Sequence, residues 1–142
     1  MMVPGVTLPA GTYVFRLAKS AGSRNVVQIW NEDETKPITT AMAIPAVRQD
    51  PKGDVVVTLQ RTDPKAPPAL RSWFYPGDLR GHEFIYSEKQ ARALAEETKT
   101  LVLSSDAPEG SDLESMAKAR LWHAGPKGER KEYREDPLKT KQ

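Results

Sequence analysis

The sequence of 142 residues contains no cysteine, and its only imidazole side chains are two histidines. The absence of cysteine excludes disulfide bonds, thiolate zinc sites, iron–sulfur clusters and cysteine nucleophiles. No apolar run approaches the roughly 20 residues that a membrane-spanning helix needs. The 21 Lys and Arg residues nearly balance 19 Asp and Glu residues, and the net charge of +2 is too small to predict binding to nucleic acid or anionic lipid.

The motifs of common catalytic and cofactor sites are also missing. Neither His82 nor His123 lies in the Glu-x-x-His or His-x-His spacing of metal sites. The sequence has no Gly-x-Ser-x-Gly nucleophile elbow and no Gly-x-x-x-x-Gly-Lys phosphate loop. His82 follows a glycine in a predicted turn, where exposure to solvent is expected. We therefore predict no catalytic residue, no metal and no cofactor, and a small hydrolase is the least favoured function.

Short β-rich runs alternate with polar separators between Gly11 and Tyr86. The separators contain Pro, Gly, Asn or Asp, and they are too short for the helix that usually joins parallel strands. We therefore predict an all-β fold, an antiparallel sandwich or barrel of six to seven strands, with Leu101–Leu103 as the seventh strand. The six runs are 12–18, 25–31, 38–44, 55–61, 69–75 and 83–86.

One short helix is predicted after the last of these runs, over residues 88–98. Ser87 and Gln90 have the spacing of a capping box, in which each residue's side chain accepts a hydrogen bond from the backbone N–H of the other. An apolar stripe at helical spacing follows, and it consists of Ala91, Leu94, Ala95 and Thr98. This helix is expected to pack on the sheet or to close one of its open ends.

The composition changes near Ser104, which divides the chain into two predicted parts. Residues 1–104, including the helix, are predicted to form the β domain. Residues 105–142 are highly charged and contain several Gly and Pro residues, which favours a solvated and partly disordered extension. Within the extension we expect a short helix at 112–118, and a hairpin formed by residues 119–124 and 129–134.

An aromatic row is the strongest candidate for a binding surface. In the predicted strand 69–75, Phe74 takes the core-facing position, so that its neighbours point outward. The alternative is that the helix or the charged extension covers these rings. If they are exposed, they can dock a protein or stack against a sugar. The candidate binding residues are Arg71, Trp73, Tyr75, Trp122 and Tyr133.

Several sequence segments, taken together, resemble a family of small, uncharacterised β-domain proteins that is best represented in acidobacteria and related soil bacteria. The resemblance covers about residues 4–104, and it is carried by residues 9–15, 43–45, 69–78 and 81–86. The segment Trp73-Phe74-Tyr75-Pro76-Gly77-Asp78 is the most specific. The resemblance implies a β domain that is periplasmic or secreted, and it implies no activity and no catalytic residue.

The family's members carry a signal peptide, whereas residues 1–5 have no positively charged segment and no apolar stretch. No signal peptide is therefore expected in this sequence, which leaves a cytoplasmic location open. Nucleic acid is disfavoured as a partner, because the basic residues of the extension alternate with acidic ones. These acidic residues are Glu129, Glu132 and Glu135.

These features favour a non-enzymatic, extracytoplasmic module that binds other protein subunits. It is expected to be an accessory or structural subunit of a larger assembly, which can be associated with a membrane, and residues 105–142 are its docking arm. The alternative is a β module that binds a carbohydrate or another small ligand on the face of Trp73 and Tyr75.

Overall fold

The computed structural model of the protein describes residues 1–21, 24–108 and 110–133. These residues form a large and a small β-sheet and two helices. In chain order the elements are β1 (Met2–Val3), β2 (Val6–Thr7), β3 (Tyr13–Ala21), β4 (Arg24–Asn31), β5 (Pro37–Val47), β6 (Val56–Leu59), β7 (Ala69–Phe74), β8 (Arg80–Phe84), α1 (Glu88–Thr98), β9 (Val102–Ser105), α2 (Leu113–Lys118), β10 (Leu121–Ala124) and β11 (Arg130–Glu132).

The large sheet has eight strands, seven of them in the order β2-β1-β7-β8-β5-β4-β3. Strands β1 and β8 lie along one edge of β7, and the eighth strand, β6, pairs with the opposite edge. The pairs of this sheet are antiparallel except for β1 and β7, which run parallel where Met2 faces Ala69. The prediction of a strand-rich fold is confirmed, but the purely antiparallel sandwich or barrel is wrong, and the described residues form eleven strands rather than six or seven. The reason is the N-terminal segment, in which β1 pairs parallel with the start of β7 and forms a short hairpin with β2 through a turn at Gly5.

The large sheet is strongly curved. The ring of Phe15 on β3 lies 5.6 Å from the ring of Trp73 on β7, although β8, β5 and β4 separate the two strands in the sheet. Side chains from strands that are four places apart in the sheet order therefore meet on its concave face. The buried residues of this core are Val3, Leu8, Val27, Ile29, Ala41, Ala43, Leu70 and Phe84.

The small sheet has the order β11-β10-β9, and both of its pairs are antiparallel. The predicted seventh strand is confirmed as β9, although it belongs to this second sheet. The predicted short helix and hairpin are confirmed as α2 and the pair β10–β11. Leu121, Trp122 and Ala124 are buried, so the expectation of a solvated extension is wrong for this part of the chain. Residues 134–142 lie outside the described residues.

Helix α1 has the bounds that its sequence predicts. The Ser87 hydroxyl accepts a hydrogen bond from the Gln90 N–H, and the helix ends at Lys99 in the left-handed conformation, with φ 59°. Ala91, Leu94 and Ala95 are buried against the cluster that contains Trp122. Neither helix in the described ranges is long and apolar enough to cross a membrane.

Tyr86 connects the two sheets and fixes where they separate. Its hydroxyl donates to the Leu70 carbonyl oxygen at 2.6 Å and lies 3.2 Å from the Met2 carbonyl oxygen. Its own carbonyl accepts from the Ser104 hydroxyl at 2.8 Å, beside a parallel bridge between the two residues. Burial raises the pKa of the Tyr86 phenol far above its usual value, so the side chain stays neutral.

Candidate functional site

Trp73 and Tyr75 do not form an outward row. They share one face of the sheet and Phe74 takes the other, but the shared face is the concave one. The Trp73 ring packs edge-on against Phe15 and is stacked on His82 with the centroids 5.4 Å apart. Both rings are half-buried, and the cover comes from β3 and β8 rather than from α1 or the C-terminal residues.

Arg71 does not belong to the same row, because a bulge interrupts β7. The pairing with β6 moves from Val57–Ser72 to Thr58–Leu70, so Arg71 is the extra residue. A bulge shifts the alternation of side chains by one residue. Leu70 and Trp73 consequently pack into the same concave core, although they are three residues apart.

His82 is buried rather than exposed, with 5% of its surface accessible. The Asn25 amide donates to its Nδ1 at 3.0 Å, and the Tyr75 hydroxyl lies 2.9 Å from its Nε2. We assign the proton of the neutral ring to Nε2, because Nδ1 is the acceptor. Burial lowers the pKa of His82, so the folded chain favours this neutral ring. The expectation of a solvent-exposed turn residue was therefore wrong.

This histidine makes stability depend on pH in a defined direction. In the unfolded chain the pKa of His82 returns to its usual value of 6.5, whereas the folded value is lower. Between the two values the unfolded state binds more protons, so the free energy of unfolding falls as the pH drops below about 6.5. Urea unfolding at a series of pH values is expected to show this slope, and His82→Gln is expected to reduce it. An equal slope in His82→Gln and the parent would contradict the assignment.

Trp122, Tyr133 and Trp73 pack in three different clusters of the core. Trp122 has no exposed surface, and the guanidinium groups of Arg92 and Arg130 lie 5.0 and 4.5 Å from its ring centroid. This burial does not fit a role in contacting a partner. Tyr133 is half-buried against the cluster that includes Met42 and Leu121. The structure therefore does not bring the five candidate binding residues together.

The second histidine joins the two sheets. His123 Nε2 on β10 lies 3.6 Å from Glu83 Oε2 on β8, and about one fifth of each side chain is exposed. Among the described residues no group of three or more His, Asp or Glu side chains is placed to hold a metal ion. The pair therefore links β8 to β10.

A cavity of about 610 Å³ lies where β5 and β8 separate. The turn between β1 and β2, the first turn of α1, the loop after β9 and helix α2 form its walls. The lining residues are Pro4, Gly5, Thr39, Thr40, Ala41, Met42, Ile85, Tyr86, Ser87, Lys89, Gln90, Ser105, Ala107, Pro108, Gly110 and Met116. None of the residues predicted to bind is among them.

The cavity exists because β8 pairs only with the second half of β5, from Ala43 to Val47. The ladder between them stops at Ala43 and Phe84, and its last bond runs from the Ile85 N–H to the Met42 carbonyl oxygen at 2.9 Å. Beyond it the chain leaves the large sheet and bridges to Ser104 in the small one. The first half of β5 therefore has a neighbour, β4, on one side only.

Thr40 presents its backbone to this cavity. In an antiparallel ladder the backbone groups of alternate residues point to the same side of the strand. Since the Met42 carbonyl faces β8, the N–H and C=O groups of Thr40 face the same way. Thr39 and Ala41 face β4 instead, where they pair with Ile29 and Val27. Within the described ranges no backbone group hydrogen-bonds to Thr40 on the cavity side.

The walls of the cavity combine hydroxyl, amide and apolar groups. Its rim is held by the Gly5 N–H, which donates to Gln90 Oε1 at 3.0 Å. Met42 and Ile85 belong to one buried cluster, and Met116 packs against it, so that side of the cavity is apolar. Of the described lining residues, Lys89 alone carries a charge at neutral pH. This arrangement suits binding through hydrogen bonds and apolar contact.

No family model matches the chain, and no curated protein or solved structure shows a significant similarity to it.

The sequence signal for this site was present but indistinct. The run 38–44 was predicted as a strand on its alternation, and Ser87 and Gln90 as the start of a helix. What the pattern does not show is that β8 leaves β5 after Phe84. Only this separation turns a strand and a helix start into the walls of one cavity.

Proposed function

We propose that the protein is a non-enzymatic protein-interaction module, and that the cavity beside β5 receives an extended segment of a partner protein. The observation that supports the proposal is the backbone of Thr40, which faces a half-open cavity and has no backbone partner there among the described residues. Unpaired N–H and C=O groups at the edge of a sheet are a template for another polypeptide.

Three other edge strands among the described residues, β3, β6 and β11, carry features that oppose pairing. The outer edge strand β3 has exposed Arg16 and Lys19 and a bulge between Leu17 and Lys19. Strand β6 has four residues, and β11 has three, all of them charged. Short, bulged and charged edges are the usual protection against unwanted pairing. The free edge of β5 carries no charged residue from Ile38 to Ala41, and its one irregularity, a bulge at Ile38, leaves Thr39–Ala41 in regular pairing with β4.

The walls of the cavity favour a single extended segment over the edge of a second folded copy. The turn at Gly5, the first turn of α1 and the loop at Ala107 and Pro108 surround the free edge. A folded sheet that approaches this edge meets these walls, whereas one extended chain can lie between them. The partner is therefore proposed to supply a loop or a terminal segment. The location outside the cytoplasm rests on the family resemblance alone, and the role as an accessory subunit remains part of this proposal.

A selection of displayed peptides tests this function. We expect random peptides of about twelve residues, selected on the folded chain, to bind at the cavity with micromolar affinity, which corresponds to about 8 kcal/mol. In titrations of the ¹⁵N-labelled chain the largest shift changes are expected at residues 39–42, 87–90 and 105–108. Shift changes centred on Trp73 and Tyr75, or no enrichment of any peptide, would contradict the proposal.

A pair of tryptophan substitutions provides the matched control. Ala107 is a half-buried lining residue, and Ala107→Trp is expected to fill part of the cavity. Val47 lies on the same strand β5 but is 69% exposed and outside the cavity. We expect Ala107→Trp to weaken peptide binding by about tenfold or more, or ~1.4 kcal/mol, and Val47→Trp to leave it unchanged.

A further inference from the structure

We infer that the bound segment adds a strand to the large sheet, in the place beside β5 that β8 leaves after Phe84, and that it carries an apolar side chain. This inference rests on the proposed function and specifies how the same cavity binds. The partner is thereby defined as a polypeptide that can adopt an extended conformation, rather than a helix or a compact ligand.

The hydrogen-bonding groups support an added strand. The Thr40 N–H and C=O face the cavity, and the last bond of the β5–β8 ladder, at Met42, lies two residues away. An added strand continues this ladder with the same spacing, because backbone groups of alternate residues reach the same neighbour. A helix has its own backbone groups satisfied internally and offers nothing to Thr40.

The apolar side of the cavity supports one apolar side chain in the segment. The side chains of Thr40 and Met42 lie on the same face of β5, and Met42 belongs to the cluster with Ile85, against which Met116 packs. Side chains of an added strand alternate between the two faces of the sheet. One of them is therefore placed over Met42, Ile85 and Met116, where an apolar group removes the most apolar surface from water.

Charge at the rim adds a preference. Lys89 is the single charged residue among the described lining residues, and it lies in the first turn of α1. An acidic residue at the end of the segment nearest Lys89 is favoured over a basic one, by a modest amount because this rim is open to solvent.

The test uses the peptide with the highest affinity from the selection above and two substitutions of one residue. Thr40→Pro removes the free N–H and places the proline ring in its position, while the ladder to β4, formed through Thr39 and Ala41, stays intact. Thr40→Val keeps the N–H and the size of the side chain. We expect Thr40→Pro to weaken peptide binding by about tenfold or more, and Thr40→Val to change it by less than about threefold.

A second measurement does not depend on how well Thr40→Pro folds. Methylation of single backbone nitrogens along the peptide is expected to weaken binding at every second residue, because only alternate N–H groups face β5. If the peptide binds in the cavity without this alternation, and Thr40→Pro equals Thr40→Val, the added strand is refuted while the binding function stands. If no peptide binds the parent chain at the cavity, the proposed function itself fails.

Discussion

Replacing Trp122 with Ala is expected to lower the free energy of unfolding by about 4 kcal/mol, the largest effect of any substitution considered. The Trp122 side chain is fully buried between α1 and the small sheet, in one cluster with Ala91, Leu94 and Ala95. Removal of the ring leaves a large cavity, and it also removes the surface over which Arg92 and Arg130 lie. Urea unfolding followed by circular dichroism measures this loss.

Two further substitutions show whether the loss of stability comes from the burial of Trp122 or from the removal of any tryptophan. Trp122→Phe retains most of the ring and removes the Nε1–H group, which finds no acceptor among the described residues, so a smaller loss is expected. Trp30 is half-buried, and Trp30→Ala is expected to cost at most about 2 kcal/mol. A loss below about 1 kcal/mol for Trp122→Ala would show that Trp122 is exposed and free to contact a partner.

Replacing Gly81 with Ala is expected to lower the free energy of unfolding by about 3 kcal/mol, although only one methyl group is added. Gly81 pairs with Phe74 in the ladder between β7 and β8. A Cβ atom at this position would overlap the Trp73 carbonyl oxygen and would lie 2.7 Å from the Phe74 Cα. Because these atoms belong to the backbone of a paired strand, the strands themselves have to move apart.

Gly53 provides the matched control for this substitution. A Cβ atom there would lie 3.4 Å from the nearest atom, which belongs to the Arg48 guanidinium group, and the residue is exposed. Gly53→Ala is therefore expected to change the free energy of unfolding by at most about 0.5 kcal/mol. Equal effects of the two substitutions in urea unfolding would show that β7 and β8 do not approach each other this closely at Gly81.

The local elements could be predicted from the sequence because local rules determine them. Helix α1 follows from the capping residues Ser87 and Gln90 and from the apolar stripe, and its bounds are those expected. The runs of alternating residues that predict β3, β4, β5 and β7 are strands in the structure, with ends that differ by a few residues. The cap at Asp112, which accepts from the Ser115 N–H, likewise begins α2.

The faces of the strands could not be predicted where a single residue changes the alternation. The bulge at Arg71 arises from the pairing of β6 with β7 over a long sequence separation, and no local pattern marks it. The strong curvature of the sheet then brings the Trp73 side chain against Phe15, so the aromatic row that was predicted to be exposed is half-buried. The pairing of β1 with β7 could not be predicted either, because a strand of two residues shows no periodicity in the sequence.

The candidate site depends on long-range separation rather than on a motif. Thr39 and Thr40 are ordinary strand residues, and they become a site only because the chain after Phe84 joins a different sheet. The aromatic and histidine residues that attract attention in the sequence instead build the core. His82 and Trp73 are stacked there, and Gly81 permits the close approach of their two strands.

The most direct test of the free edge is amide hydrogen exchange of the ¹⁵N-labelled chain at low concentration. We expect fast exchange for the Thr40 N–H, and slow exchange for the Thr39 and Ala41 N–H groups, which face β4. Addition of a cavity-binding peptide is then expected to slow the exchange at Thr40. Slow exchange at Thr40 in the monomeric chain without any peptide would contradict the account, because the edge of β5 would already be paired.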